Sequence, residues 1–175
     1  MANPRRDVTF RPLHERDLPL LADWLDRAHV KAWWGDGETP HLADIRSQYL
    51  PRLDAASPVR SYIAQLNGEP IGFAQSYVAM RCGGGWWQEE TDPGVVGIDL
   101  FLGDEARLGQ GLGTRMAKAF VRQLLLDPGV TKVQTDPDPA NARAIRCYEK
   151  AGFRRVGIVA TPDGPALLMI ARRTD

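Results

Sequence analysis

Several residues in this 175-residue chain have types and spacings that suit chemistry. One group is the turn Gly109-Gln110-Gly111-Leu112-Gly113-Thr114, which opens an apolar helical stretch from Leu112 to Leu126. Glycines let a backbone approach a ligand closely and free its N–H groups to point one way. The start of a helix adds about half a positive charge. A pyrophosphate is the natural guest of such a cradle. A Walker loop is excluded, because no Gly-Lys-Ser/Thr closes the turn. A dinucleotide-binding fingerprint is excluded too, since that turn follows the opening strand and this one comes late in the chain.

Asp99 interrupts the apolar run from Val95 to Leu102. A carboxylate buried there without a partner is costly. Either a lysine or arginine pairs with it, or it faces a cleft where it receives an ammonium and accepts its proton. An ordinary aspartate, with a pKa of about 3.9, is a poor base unless its surroundings raise that value. Tyr148 follows Ile145 by one helical step. Its hydroxyl is a weak acid able to donate a proton; its ring suits a core position beside Gly152-Phe153. Carboxylates and indoles also cluster: Trp33-Trp34 before Asp36 and Glu38, Trp86-Trp87 before Glu89, Glu90 and Asp92, and Asp136 and Asp138 together. Acidic side chains attract amines, and indoles offer flat apolar faces with cation–π attraction. Solvated loop charges and core tryptophans are the plainer alternative.

These residues need a scaffold. At 43% hydrophobic and 25% charged, the chain reads as one globular domain over residues 1–175, long enough to bury a core without staples. Its 22 basic and 22 acidic residues cancel, so no net field draws it to nucleic acid or an anionic membrane. Cys82 and Cys147 are too few for a disulfide framework, and no ligand spacing for a metal is present. The start, MANPRRDVTF, is polar, and no run approaches the length of a membrane span. A cytoplasmic protein is expected, and nothing demands more than a monomer.

Strand and helix patterns alternate. Val8 to Leu13 reads as a strand, and Asp17 as the cap of a helix from Leu18 to Ala28. Thr39-Pro40 signals a helix reaching Tyr49. Ser61–Leu66 and Ile71–Val78 form a hairpin through Asn67-Gly68. Val95–Leu102 and Val130–Gln134 are strands, Pro139–Ala151 is a helix capped by Gly152, and Phe153–Ala160 with Ala166–Ala171 is a closing hairpin. The expected fold class is α/β: a mixed, mostly antiparallel sheet of about seven strands flanked by about four helices.

The strand followed by LGQGLGT and a helix, and then NARAIRCYEKAGF, resemble the GNAT superfamily of N-acetyltransferases. The resemblance extends in order along the chain. It implies that acetyl-CoA is the co-substrate. Leu100, Phe101 and Leu102 would pair with its pantetheine arm, Gln110, Gly111, Leu112, Gly113 and Thr114 would hold its pyrophosphate, and Asn141 would contact the pantetheine. It also implies Tyr148 as the acid. Leu108 departs from the Arg or Gln common in the family, so backbone amides, or Arg107 or Gln110, must serve that end of the turn.

The blocks QYLP, YIAQLNGEPIGFAQSYVA, GWWQEETDPGVVGID and TPDGPA are similar to the aminoglycoside 6'-N-acetyltransferases of the Ib type. That resemblance implies a polycationic aminoglycoside as acceptor, with contacts from Trp33, Tyr49, Gln75, Trp86, Asp99 and Asp136, and Asp99 as the base. Gly84 stands where relatives carry an acidic residue, a loss that Glu89 or Asp92 is expected to make good. Fold alone also admits another amine acceptor, a siderophore lysine or a polyamine, or a non-catalytic acyl-CoA sensor.

Overall fold

The computed structural model describes residues 7–174. The residues before Asp7, which carry part of the expectation of no secretion signal, lie outside the described residues. Seven strands form one sheet: β1 Val8–Pro12, β2 Val59–Leu66, β3 Glu69–Val78, β4 Val95–Leu102, β5 Lys132–Thr135, β6 Arg154–Thr161 and β7 Gly164–Ala171. Their order is β1-β2-β3-β4-β5-β7-β6. Every neighbouring pair is antiparallel except β4 and β5, which run parallel. The helices are α1 Leu18–Leu25, α2 Ala28–Lys31, α3 Leu42–Tyr49, α4 Leu112–Leu125 and α5 Ala142–Lys150.

The mixed sheet is as expected, but the described residues form five helices because the first one breaks. Arg27 takes an extended conformation and restarts the chain as α2. Asp17 does not cap α1 with its side chain. It accepts two hydrogen bonds from the Arg11 guanidinium, at 2.6 and 2.8 Å, and one from the His14 backbone N–H at 2.9 Å. A carboxylate gripped by a fork of donors has little capacity left for a helix end. The helix expected at Thr39-Pro40 starts at Leu42 instead, with His41 extended before it. Asn67 and Gly68 both have positive φ, the requirement of a two-residue hairpin turn.

Helices cover both faces of the sheet. On one face α4 and α5 bury Met116, Ala117, Phe120 and Ile145 against Ile98, Val133 and Met169. On the other, α1 to α3 bury Leu18, Leu21, Trp24 and Ile45 against Ile63 and Phe73. Strand alternation assigns β4 to the two cores: Ile98 and Leu102 belong to the first, and Phe101 packs against the second. Asp99 therefore shares the α1–α3 face with Phe101.

Gly97 is fixed by packing. A Cβ there would lie 2.0 Å from Cζ of Tyr77, its partner across β3 and β4. The Tyr77 ring lies on the bare glycine and turns its hydroxyl towards β5. Gly97→Ala forces that ring away and is expected to cost about 1–3 kcal/mol, read as a lowered urea midpoint; an unchanged midpoint would contradict the packing.

Candidate active site

β4 and β5 pair only through Val95–Lys132, Val96–Val133 and Gly97–Gln134. β4 then continues to Leu102 without a neighbour on that side, while β5 ends at Thr135. The result is an open edge inside the sheet. Gly103 N–H donates to Ile71 O at 2.9 Å, which fixes the phase of the β3–β4 ladder. In an antiparallel ladder alternate residues spend their backbone groups on the neighbour. Asp99 and Phe101, opposite Gln75 and Phe73, are those residues. Leu100 and Leu102 turn their N–H and C=O groups into the gap. Of the three residues expected to pair with pantetheine, Phe101 thus has its backbone engaged with β3. His29, unnoticed in the sequence, reaches the Leu102 carbonyl through Nε2 at 2.8 Å.

At the end of the gap lies the glycine turn. Gly111 has φ 77° and precedes the first residue of α4. This left-handed conformation is one that glycine adopts without a Cβ penalty. The first helical N–H is Arg115's, donated to Gly111 O at 3.1 Å. The N–H groups of Leu112, Gly113 and Thr114 precede it and lack helical acceptors, as at any helix start. The side chains expected to compensate for Leu108 are engaged elsewhere. Arg107 pairs with Glu69 at 2.9 Å, and Gln110 Nε2 donates to Ala106 O at 2.6 Å. The backbone amides are left for an anion. The Thr114 hydroxyl donates to Cys147 Sγ at 3.7 Å, tying α4 to α5. Asn141 is the N-cap of α5: its Oδ1 accepts from Ala144 N–H at 3.1 Å. Its NH2 is the donor it retains for a ligand.

On the α1–α3 face the gap is acidic. Gln75 Nε2 donates to Asp99 Oδ2 at 2.8 Å. Burial pushes the Asp99 carboxyl upward, and the Gln75 hydrogen bond and the Arg52 charge oppose the rise. Burial, with Asp99 and then Asp163 adding negative charge, pushes Asp136 up to about 7. The Tyr77 hydroxyl donates to Asp136, and Trp87 hydrogen-bonds Tyr77 in turn. Trp87 holds φ 49°, unusual for so bulky a residue. Trp87 was read only as part of the Trp86-Trp87 indole pair, and the roles of Tyr77 and Asp163 escaped sequence reasoning. The signal for Tyr77 was the otherwise unexplained Gly97.

The remaining expected contacts separate. Trp33 is 51% exposed, while Trp34 packs edge-on against Phe73 and Phe101. Trp86 is half-buried beside Trp87, with ring centroids 6.0 Å apart. Tyr49 is only 1% exposed and lies under the Arg52 guanidinium, so its ring offers no free surface. Asp92 does not replace the acid missing at Gly84: its carboxylate accepts from the Thr131 hydroxyl at 2.7 Å and Gly94 N–H at 2.8 Å. Glu89 is exposed. Asp138 accepts from Ala140 N–H at 2.7 Å within the turn before α5.

Tyr148 enters the gap from the opposite face. It is buried, hydrogen-bonded to the Thr135 side chain and edge-on to Phe153 at 5.2 Å. Burial raises its pKa well above the ordinary tyrosine value, with Asp99 adding to the rise. The hydroxyl keeps its proton at neutral pH. No cluster of metal-ligating side chains occurs among the described residues, and no described helix is long and apolar enough to cross a membrane.

Asp136 yields a pH prediction. An unfolded chain loses this proton near pH 3.9, about the ordinary aspartate value, whereas the fold holds it to about 7. Protonation thus favours the fold, and that contribution is lost as pH rises from about 4 to about 7. The stability of Asp136→Asn relative to wild type should increase across that window and level off above it. A difference independent of pH in thermal melts would contradict the assignment.

Residues 14–161 match the acetyltransferase (GNAT) domain family. The chain is 57% identical over 174 residues to aminoglycoside N(6')-acetyltransferase type 1 of Klebsiella pneumoniae, covering 99% of this chain and 87% of that protein. It superposes on the structure of AAC(6')-Ib in complex with parmomycin and acetylCoA at a TM-score of 0.91 and 59% identity, covering 95% of this chain and 94% of the other. AAC(6')-Ib with coenzyme A and kanamycin gives 0.90 at 57% identity, over 95% of each chain. With the gap, the glycine turn and the buried acids in place, these likenesses have one meaning: the chain belongs to the GNAT family of acetyltransferases.

Proposed function

We propose that the protein transfers the acetyl group of acetyl-CoA to the 6'-amine of an aminoglycoside by direct attack on the thioester, an activity that confers resistance to such antibiotics. The observation that carries this reading is the gap itself. A free strand edge and a glycine cradle lie along it, two desolvated carboxylates face it from one side, and a protonated tyrosine faces it from the other.

Acetyl-CoA supplies an acyl group that is already activated, so the protein has three tasks: to bind, to orient and to manage protons. The free amides of Leu112, Gly113 and Thr114 suit a pyrophosphate. The Leu100 and Leu102 edge suits the amides of a pantetheine arm laid along it as an added strand. Leu100 N–H, aimed into the gap, can hold the carbonyl oxygen as negative charge develops there.

On the acceptor side, Asp136 and Asp99 receive ammonium groups. Asp99 Oδ2 is held by Gln75, and Oδ1 is left for the amine. Because burial lifts Asp99 above the ordinary aspartate value, it is a better proton acceptor than an exposed aspartate. Tyr148 donates its hydroxyl to the sulfur as the C–S bond breaks. Trp33 and Trp86, the former widely exposed, offer faces to the sugar rings. Asp163, near enough to raise Asp136, supplies a carboxylate that Gly84 lacks.

The test is thiol release from acetyl-CoA with a panel of aminoglycosides, polyamines and lysine derivatives. Turnover with kanamycin-type aminoglycosides is expected, and none with any aminoglycoside would overturn the acceptor assignment. Tyr148→Phe should lower kcat while leaving acetyl-CoA binding intact. Asp99→Asn should weaken the amine's charge-assisted contact by about 1.5–3 kcal/mol. Rates indifferent to both changes would leave these residues without the proposed roles.

A further inference from the structure

Arg52 follows the QYLP block by one residue. It sits in the single turn Leu50–Leu53 that follows α3. Its guanidinium carbon is 4.8 Å from the centroid of the Tyr49 ring, and Nη1 donates to Gln75 Oε1 at 2.9 Å. Gln75 Nε2 then donates to Asp99 Oδ2 at 2.8 Å. The polarity of this chain is forced. A guanidinium can only donate and a carboxylate can only accept, so the amide oxygen must face Arg52 and its NH2 must face Asp99.

Nothing else among the described hydrogen bonds holds Gln75 that way. Ser61 lies directly opposite it on β2, and its hydroxyl is buried without a partner among the described residues. The platform under Arg52 is rigid. Tyr49 is buried edge-on against Phe73, and its hydroxyl is hydrogen-bonded to Trp34.

We infer that Arg52 is a positioning residue for acetyl transfer: it locks the Gln75 amide as a donor to Asp99 Oδ2, so that Asp99 stays an acceptor and presents Oδ1 to the incoming amine. If Arg52 were absent, the amide could turn over. Its oxygen would then face Asp99, an arrangement that favours a proton on the carboxyl. Arg52 also supplies positive charge to Asp99. The other titratable groups coupled to Asp99 are Tyr49 on α3, Tyr77 on β3, Cys82 after β3, Asp136 after β5 and Tyr148 on α5. None of these is a cation. Loss of Arg52 therefore moves the Asp99 titration upward.

The inference rests on the aminoglycoside reading only for the choice of substrate. Its test has two readouts on wild type, Arg52→Gln and Arg52→Lys. One is the acid limb of kcat/KM against pH with kanamycin and acetyl-CoA. The other is the carbon-13 titration of the Asp99 carboxyl in the free protein. Removing one nearby opposite charge is expected to raise both midpoints in Arg52→Gln by about one pH unit. At pH below the limb, kcat/KM then falls roughly tenfold, and at high pH the two enzymes converge. Arg52→Lys, which keeps the charge, should recover most of the shift.

A loss of activity equal at every pH, with both midpoints unmoved, would overturn the inference and leave Arg52 a merely structural residue. A shifted carboxyl titration in a protein with no turnover of kanamycin would uphold the inference and remove the substrate reading instead. Should Arg52→Gln fail to fold, Gln75→Leu cuts the same link. It is expected to raise the Asp99 midpoint, and an unmoved midpoint there would overturn the proposal equally.

Discussion

β4 and β5 run parallel, pair over three residues and then part. Everything functional is arranged around that parting. A sheet interior normally has every backbone group paired, because an unpaired buried N–H or C=O is costly. Here the groups of Leu100 and Leu102 are left facing a gap, and only the Leu102 carbonyl has a described partner, His29. The separation also lets side chains from opposite faces of the sheet act on each other. Asp99 projects on the α1–α3 side and Tyr148 on the α5 side, yet each lies within the other's electrostatic reach.

The same gap explains the charge arrangement. Asp99 and Asp136 are both withdrawn from water, and Asp99 pushes Asp136 further up. Two half-buried carboxylates are a liability in the free protein. Hydrogen bonds from Gln75 and Tyr77 offset part of the cost. A polycationic ligand would relieve the rest. Affinity for amines and strain in the free site are thus two aspects of one desolvation. The neutral net charge of the chain hides this local excess, because Asp99, Asp136 and Asp163 act on one another at the gap while the 22 acidic and 22 basic residues cancel over the whole sequence.

Much of this was legible in the sequence. The glycine turn lies where its spacing placed it, because positive φ at Gly111 and a helix start are local properties. β4 and the Asn67-Gly68 hairpin also match, being set by short-range pattern. Asp99 stood out as a charge in an apolar run. What the sequence hid depends on which partner each group meets in the fold. Asp17 looked like a helix cap and is instead claimed by Arg11 across a turn. Asp92 looked like a substitute for the acid absent at Gly84 and is held by Thr131. Tyr49 looked like a contact surface and is covered by Arg52. Phe101 shares a strand with Leu100 but faces its backbone to β3, a matter of ladder phase that no composition reveals.

On the proposed reading, the free edge of β4 receives acetyl-CoA as an added strand. Amide hydrogen exchange of the folded protein, with and without saturating acetyl-CoA, tests it residue by residue. The Leu100 and Leu102 amides should exchange much more slowly when the coenzyme is present, while those of Asp99 and Phe101, already bonded to β3, should be nearly unchanged. Equal exchange at Leu100 in the two states would mean that acetyl-CoA does not bind along this edge.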